Sequence, residues 1–198
     1  MSNHVRRRGR CKSPIKSRIR REAMGKLPIL CECGNHASVL LTKGYVALIS
    51  PQDIDLVSAY GWNAQPVVRN VYAKCSIKPE FTGCVFLHRL LLDHPTDKWV
   101  DHINHNGLDC RRENMRLCDG QQNAGNRRPQ LGRKSRFKGV NWCPRKQKWY
   151  PRIKVDGKAR RLGGHFKSDT DAALVYDEAA RKCYGEFAHT NFPTPASS

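Results

Sequence analysis

The chain has 198 residues, 39% of them hydrophobic, and a formal net charge of +19, which suits one medium or two small domains with modest cores. No run approaches the roughly 20 apolar residues of a spanning helix, and the Arg-rich start lacks the apolar stretch of a secretory signal, so the expectation is a soluble, intracellular and cytoplasmic protein with no membrane partner. The charge asks for a polyanionic partner, because residues 1–26 carry 10 Lys/Arg against 1 acid and residues 127–167 carry 15 against 1, flanking a near-neutral middle.

Residues 1–26 have too few apolar positions to pack and too many like charges to collapse, which predicts a basic flexible tail. It reads as a DNA-contacting arm slightly ahead of a solvated or address segment. Residues 27–81 form a strand-rich scaffold: VLLTKGYVALI (39–49) and NVYAKCSI (70–77) mix β-branched, aromatic and turn residues. Between them, Ser50 before Pro51 with Asp53 makes a capping arrangement, and Ile54, Val57 and Tyr60 share a helical face before Gly61. The nine cysteines are odd in number and scattered, as reduced thiols are. Cys31 and Cys33 lie close together with Cys11 and His36 nearby, but the chain has no CxxC doublet, which argues against structural zinc.

Residues 82–128 make the second unit. Val100 to Ile103 has strand character, Asn106-Gly107 marks a tight turn, Met115 to Cys118 returns as a strand, and Asp119 caps a polar helix through Arg127. The result is a ββα hairpin and helix, with Asp101 and His102 on the first strand and Asn123 laid against it. Residues 129–134 (PQLGRK) read as a basic linker. In residues 135–193, FKGVNW, KWYPRIKV and ARRLGGHF predict three strands with an Asp156-Gly157 turn, and a helix starts at Ser168 and stops at Gly185. Residues 194–198 are a tail. The fold class is therefore α+β: a small N-terminal scaffold, a ββα core, and a three-stranded antiparallel sheet on one helix.

Asp101 and Asn123 stand 22 positions apart and offer hard oxygen ligands to a divalent cation, while His102 can take a proton from water. Singly each has a plainer reading, as a turn cap or an exposed amide. Together with FLHRLLL, VDHINHNG, RRENMRL and QQNAGN in that order, they form a segment that resembles the HNH endonucleases, particularly those of phages and intron homing enzymes. The resemblance implies a ββα-metal centre in which Asp101 and Asn123 hold Mg²⁺ or Mn²⁺, His102 activates water and Asn114 braces the loop. The Asn at the last position, as in the homing branch, suits Mg²⁺ through its amide oxygen. His88 of FLHRLLL has two readings, a phosphate-contacting or site-supporting group and a packing residue beneath the hairpin. His105 reads as a surface loop residue able to bind a stray metal.

The C-terminal stretch, with Phe137-Lys138-Gly139-Val140, Trp149, Leu162-Gly163, Val175-Tyr176-Asp177 and Thr190-Asn191-Phe192-Pro193, resembles the AP2 DNA-binding domain of plant transcription factors, which is also found attached to HNH nucleases. The resemblance implies a sheet that enters the major groove of double-stranded DNA with the helix behind it. Strand alternation nominates Arg145, Arg152, Lys154 and Arg161 as groove or phosphate contacts, with Arg136, Lys138 and Trp142 beside them. Trp149, Phe166 and Tyr176 read as core. The expected activity is metal-dependent phosphodiester hydrolysis on DNA by a monomer rather than a homodimer, of phage or mobile-element type, cutting or nicking with the sheet choosing the site. The alternative is an AP2-type DNA-binding regulator with an inactive centre.

Overall fold

A computed structural model describes residues 27–76 and 84–193; the basic tail expected over 1–26, Cys11, the boundary near residue 81 and the tail 194–198 lie outside them. The chain is mixed α+β, with several small sheets and few helices. The described residues divide into two compact units, one comprising those up to Leu91 with Gly107–Arg111, the other Leu92–Asn106 with those from Arg112.

In the first unit, β1 (Ile29–Leu30), β2 (Ala37–Leu40) and β3 (Val46–Ile49) run antiparallel. Alternation buries Ala37 and Val39 on β2 and Ala47 and Ile49 on β3. A 3-10 turn over Pro51–Asp53 leads into α1 (Ile54–Ser58), whose Val57 is buried. Ser50 has the extended backbone of a cap but makes no side-chain cap hydrogen bond, so Pro51 and the Asp53 N–H···O=C Ser50 bond (3.0 Å) set the start instead. A second antiparallel sheet contains β4 (Asn63–Val67), β5 (Asn70–Ser76) and β6 (Cys84–Phe86). Pro66 is tolerated because β4 is an edge strand. α2 (Leu87–Leu91) follows and buries Leu87, Leu90 and Leu91.

The expected tight turn at Asn106-Gly107 is not a simple hairpin turn. Between β7 (Trp99–His102) and β9 (Met115–Cys118) the chain leaves the second unit and adds β8 (Asp109–Cys110) parallel to β3 in the first. Gly107 is required by close approach, since a Cβ there would lie 2.5 Å from Tyr72 Cε1; the residue with positive φ in this loop is His105, at 62°.

The second unit contains the β7–β9 antiparallel pair and α3 (Gly120–Asn126). Asp119 and Gln122 form a reciprocal capping box at the start of α3, each side chain accepting from the other's backbone N–H at 2.8 Å. A three-stranded antiparallel sheet then runs β10 (Val140–Cys143), β11 (Lys148–Val155), β12 (Lys158–Arg161). Asp156 and Gly157, both at positive φ (52° and 73°), make the primed turn between β11 and β12. The third strand breaks at Gly163 (φ 63°) and regains β11 only at the Trp149–Phe166 bridge. Behind the sheet lies α4 (Asp169–Tyr184), capped by Ser168 accepting from the Thr170 N–H. Ile153, Tyr176, Ala180, Tyr184 and Phe187 form its core, and Cys118 of β9 is part of the same cluster. The hairpin and the C-terminal sheet are thus not beads on a linker.

Candidate active site and nucleic-acid interface

The β7–β9 register sets Asp101 opposite Arg116 and His102 opposite Met115. Directly opposed residues share a face, so the Asp101 carboxylate meets the Arg116 guanidinium, Nε donating to Oδ2 at 3.0 Å. Both Asp101 and His102 are buried, at 7% and 6% exposure. They are consecutive on a strand and so leave it on opposite faces, at the point where β7 ends.

The amide that reaches Asp101 is Asn126, not Asn123. Asn126 is buried, and its Nδ2 donates to Asp101 Oδ1 (2.8 Å), to Oδ2 (2.9 Å) and to the His102 carbonyl (3.1 Å). Asn123 lies three residues earlier on the same side of α3, half-buried, and no direct hydrogen bond joins it to Asp101 among the described residues. Asp101 Oδ2 therefore receives two donors and Oδ1 one, which leaves Oδ1 with acceptor capacity beyond its bond from Asn126. By donor type alone, the carboxylate of Asp101 and the amide of Asn123 are oxygen donors of the kind a hard cation takes, with Arg116 as the competing positive charge.

Asn114 is buried and closes a loop of amides. Its Oδ1 accepts from the Asn104 N–H and its Nδ2 donates to Asn104 Oδ1, each at 3.0 Å, while its carbonyl accepts from Ile103 N–H at 2.9 Å. His105 is not a plain surface group: its Nε2 lies 3.2 Å from His189 Nδ1 with the rings edge to face. Burial first, then His189 and Arg128, pushes the His105 pKa down to about 4. His88 belongs to the first unit, where its ring stacks on Phe86 and tilts against Tyr72, both at 5.5 Å.

Arg116 and Asn126 escaped the sequence reading for separate reasons. Pairing Arg116 with Asp101 requires the hairpin register, which cannot be counted across an excursion that contributes β8 elsewhere. Asn126 carried a signal, the i, i+3 spacing from Asn123, that does not say which of the two faces the strand.

On the C-terminal sheet, Arg152 and Lys154 are exposed and alternate with buried Pro151 and Ile153. Arg161 opposes Arg152 across the β11–β12 ladder and lies over the Tyr150 ring at 4.5 Å. Arg145 is exposed in the β10–β11 turn, and Arg136 is exposed with its guanidinium 5.0 Å from the Phe137 ring centroid. Two expected contacts are engaged elsewhere. The Lys138 ammonium donates to the carbonyls of Gly125 and Ala124 at the end of α3, and burial, then Arg127, lowers its pKa to about 8; a cation suits that negative helix end. Trp142 opposes Trp149, on the same side of the sheet as buried Val140, with the rings 4.8 Å apart. Lys134 Nζ lies 4.0 Å from the Trp142 ring centroid. A groove of about 360 Å³ runs between the end of α3 and the sheet, with Arg127, Arg128, Arg133, Arg152 and Lys154 in its lining.

Asp177, fully buried on α4, accepts from Asn191 N–H (2.9 Å), Asn191 Nδ2 (2.8 Å) and Phe192 N–H (2.8 Å), and Asn191 Oδ1 accepts from Lys138 N–H at 2.7 Å. A buried carboxylate is tolerable because it is satisfied in this way.

The site and sheet thus pair an anchored carboxylate and a buried imidazole with a strongly basic antiparallel sheet, in a chain of the mixed α+β class. Comparison with known proteins gives relatives of two kinds. The chain is 28% identical over 155 residues, covering 75% of it and 76% of the relative, to an uncharacterized HNH endonuclease of Acanthamoeba polyphaga mimivirus. It is 26% identical over 94 residues, covering 48% of it and 76% of the relative, to Protein 3.8 of Escherichia phage T7. At its C-terminal region it is 47% identical over 47 residues, 23% of each chain, to dehydration-responsive element-binding protein 2D of Arabidopsis thaliana. No family model and no solved structure matches. Among the described residues no helix is long and apolar enough to cross a membrane.

Proposed function

We propose that the chain is a divalent-metal-dependent DNA endonuclease of the HNH type, in which the β7–β9 hairpin and α3 form the cutting centre and the AP2-like β10–β12 sheet supplies DNA recognition. The observation that carries this reading is the Asp101 carboxylate, buried, held by three hydrogen bonds from Arg116 and Asn126, and adjacent to His102 at the end of β7. An exposed turn cap would need neither burial nor such support.

A Mg²⁺ or Mn²⁺ ion held by Asp101 and Asn123 would supply charge relief at the phosphate and at the departing sugar oxygen. His102 accepts the proton of the attacking water. Asn114, through Asn104, fixes the loop that follows His102, so the imidazole does not need to be ordered at each turnover. Arg116 and Asn126 orient the carboxylate, as partners of a metal ligand do. The exposed Arg152, Lys154 and Arg161, with Arg145 and Arg136, neutralise phosphates and make affinity salt-dependent.

One observation favours the competing reading, an inactive DNA-binding regulator: Arg116 already neutralises the carboxylate on which a cation would depend. Incubating supercoiled plasmid with the protein, with and without Mg²⁺, decides between them. The proposal expects Mg²⁺-dependent nicking that Asp101→Ala and His102→Ala abolish while DNA retention in a gel persists. Binding without scission by the parent protein, or His102→Ala cutting at the parent rate, overturns it.

A further inference from the structure

The turn between β1 and β2 carries a second constellation with no part in the proposed cutting reaction. Cys31, Cys33 and His36 bring two thiol sulfurs and an imidazole nitrogen within 4.8 Å of one another. The backbone closes the turn around them: Cys31 N–H donates to the His36 carbonyl and Gly34 N–H donates to the Cys31 carbonyl, both at 2.9 Å, with Gly34 at φ 72°. The sequence argued against zinc because paired CxxC doublets are absent; here a CxC and a His three residues on are folded together instead.

The geometry points to a zinc site ligated by Cys31, Cys33 and His36. With Zn–S near 2.3 Å and Zn–N near 2.0 Å, a tetrahedral S–Zn–N angle puts sulfur and nitrogen about 3.5 Å apart. Cys33 Sγ and His36 Nδ1 are 3.6 Å apart. Two thiolates and an imidazole form a soft donor set that selects Zn²⁺ over the hard cation expected at Asp101. The fourth corner is left to a donor outside the turn.

The surroundings give such an ion a task. No residue from 31 to 36 is buried, and the two-residue β1 that precedes them exposes Ile29 at 60% and Leu30 at 52%. Apolar burial therefore does not hold this end of the sheet, whereas a metal cross-link would fix the turn and, through Cys31, the pairing of β1 with β2.

The test uses the full chain stripped of metal under reducing conditions and titrated with Co²⁺. The expected result is one equivalent bound with thiolate-to-cobalt charge transfer in the near ultraviolet and strong visible bands of a tetrahedral site, reversed by Zn²⁺. Cys33→Ser and His36→Ala should each lose these bands, while Cys143→Ser should keep them. Cys33 is exposed, so its replacement leaves the buried core intact and loosens at most the β1–β2 turn, which circular dichroism checks. Absence of the bands in the parent chain, their persistence in Cys33→Ser, or a Cys31–Cys33 disulfide under these conditions overturns the proposal. The readout is spectroscopic and independent of nicking, so failure of the zinc site and failure of the nuclease reading are told apart.

Discussion

The two amides of α3 should separate cleanly under truncation. In Asn126→Ala, the Asp101 carboxylate and the His102 carbonyl lose a donor that reaches them at 2.8–3.1 Å. One Nδ2 has only two hydrogens, so its three contacts amount to two full bonds at most. A bond to a charged acceptor contributes about 1.5–3 kcal/mol and one to a neutral carbonyl about 0.5–1.5 kcal/mol. If water entering the truncated site recovers part of this, about 2–3 kcal/mol remains, and at roughly 2–4 °C per kcal/mol for a chain of this size the melting temperature falls by about 4–12 °C. Asn123→Ala removes a half-buried amide with no hydrogen bond to Asp101 and should cost no more than about 0.5 kcal/mol. Its effect appears in nicking, as at least a tenfold rise (order of magnitude) in the Mg²⁺ concentration needed for half-maximal rate. Differential scanning fluorimetry and the plasmid assay, run on both variants, test the division. An Asn126→Ala protein that melts with the parent, or an Asn123→Ala protein that melts as low as Asn126→Ala, would refute it.

Three further outcomes follow from the same unit. His105 sits at about 4 against an ordinary 6.5, so the unfolded chain takes up the proton first; His105 then contributes stability that is complete above about pH 6.5 and declines as pH falls toward 4. Melting curves at pH 7.5 and pH 5 should differ less in His105→Asn, which accepts the φ of 62°, and an unchanged difference would count against the assignment. Arg152→Ala should reduce the slope of log affinity against log salt by about 1, whereas Lys138→Met should leave that slope unchanged and lower the melting temperature; a fluorescence anisotropy titration at several salt concentrations that gives the reverse pattern would return Lys138 to the DNA face. Cut ends on a long substrate should fall at a fixed distance from the bound sequence, and inserting Gly-Ser residues within 129–134 should not spread them; end sequencing that shows a broadened distribution would contradict this.

Legibility in the sequence followed how local each signal was. Asp119 announced the start of α3, Asp156-Gly157 the β11–β12 turn and Ser168 the start of α4, because caps and primed turns are settled by neighbouring backbone groups. The strand Lys148–Val155 was equally readable from its run of β-formers, and Met115–Cys118 as the return of the hairpin. What stayed hidden depends on residues far apart in the chain. The sequence shows Asn106-Gly107 but not that the next residues pair with β3. It shows Lys138 as one more cation in a basic run, though the residue is half-buried and its ammonium closes a helix. It likewise shows Trp142 as a potential base contact, although the register assigns it to the helix side of the sheet.

If the proposed reading holds, the packing of the second unit bears on how recognition is coupled to cutting. A reader joined by a flexible linker would sample many positions around a catalytic centre, and cleavage would scatter with the linker's reach. Here Arg116, which holds Asp101, also donates to the Glu186 carbonyl at 3.0 Å and lies 3.9 Å from the Phe187 ring centroid, beyond α4. Lys138, just ahead of the sheet, closes the end of α3, and the same Gly125 carbonyl accepts from His189 N–H at 3.0 Å. At Gly125 itself a Cβ would come within 2.7 Å of Tyr184 Cγ, so only glycine permits this approach of α3 to α4. Gln121 Oε1 accepts from the Asp156 N–H at the β11–β12 turn, and Cys118 completes the core beneath Ile153 and Tyr176. Each contact joins a group within one turn of the candidate centre to the sheet or its helix. On the proposed reading, a base sequence held by Arg152 and Arg161 therefore fixes which phosphate can reach Asp101, and the specificity of the cut is carried by the shared core rather than by the hydrolytic residues.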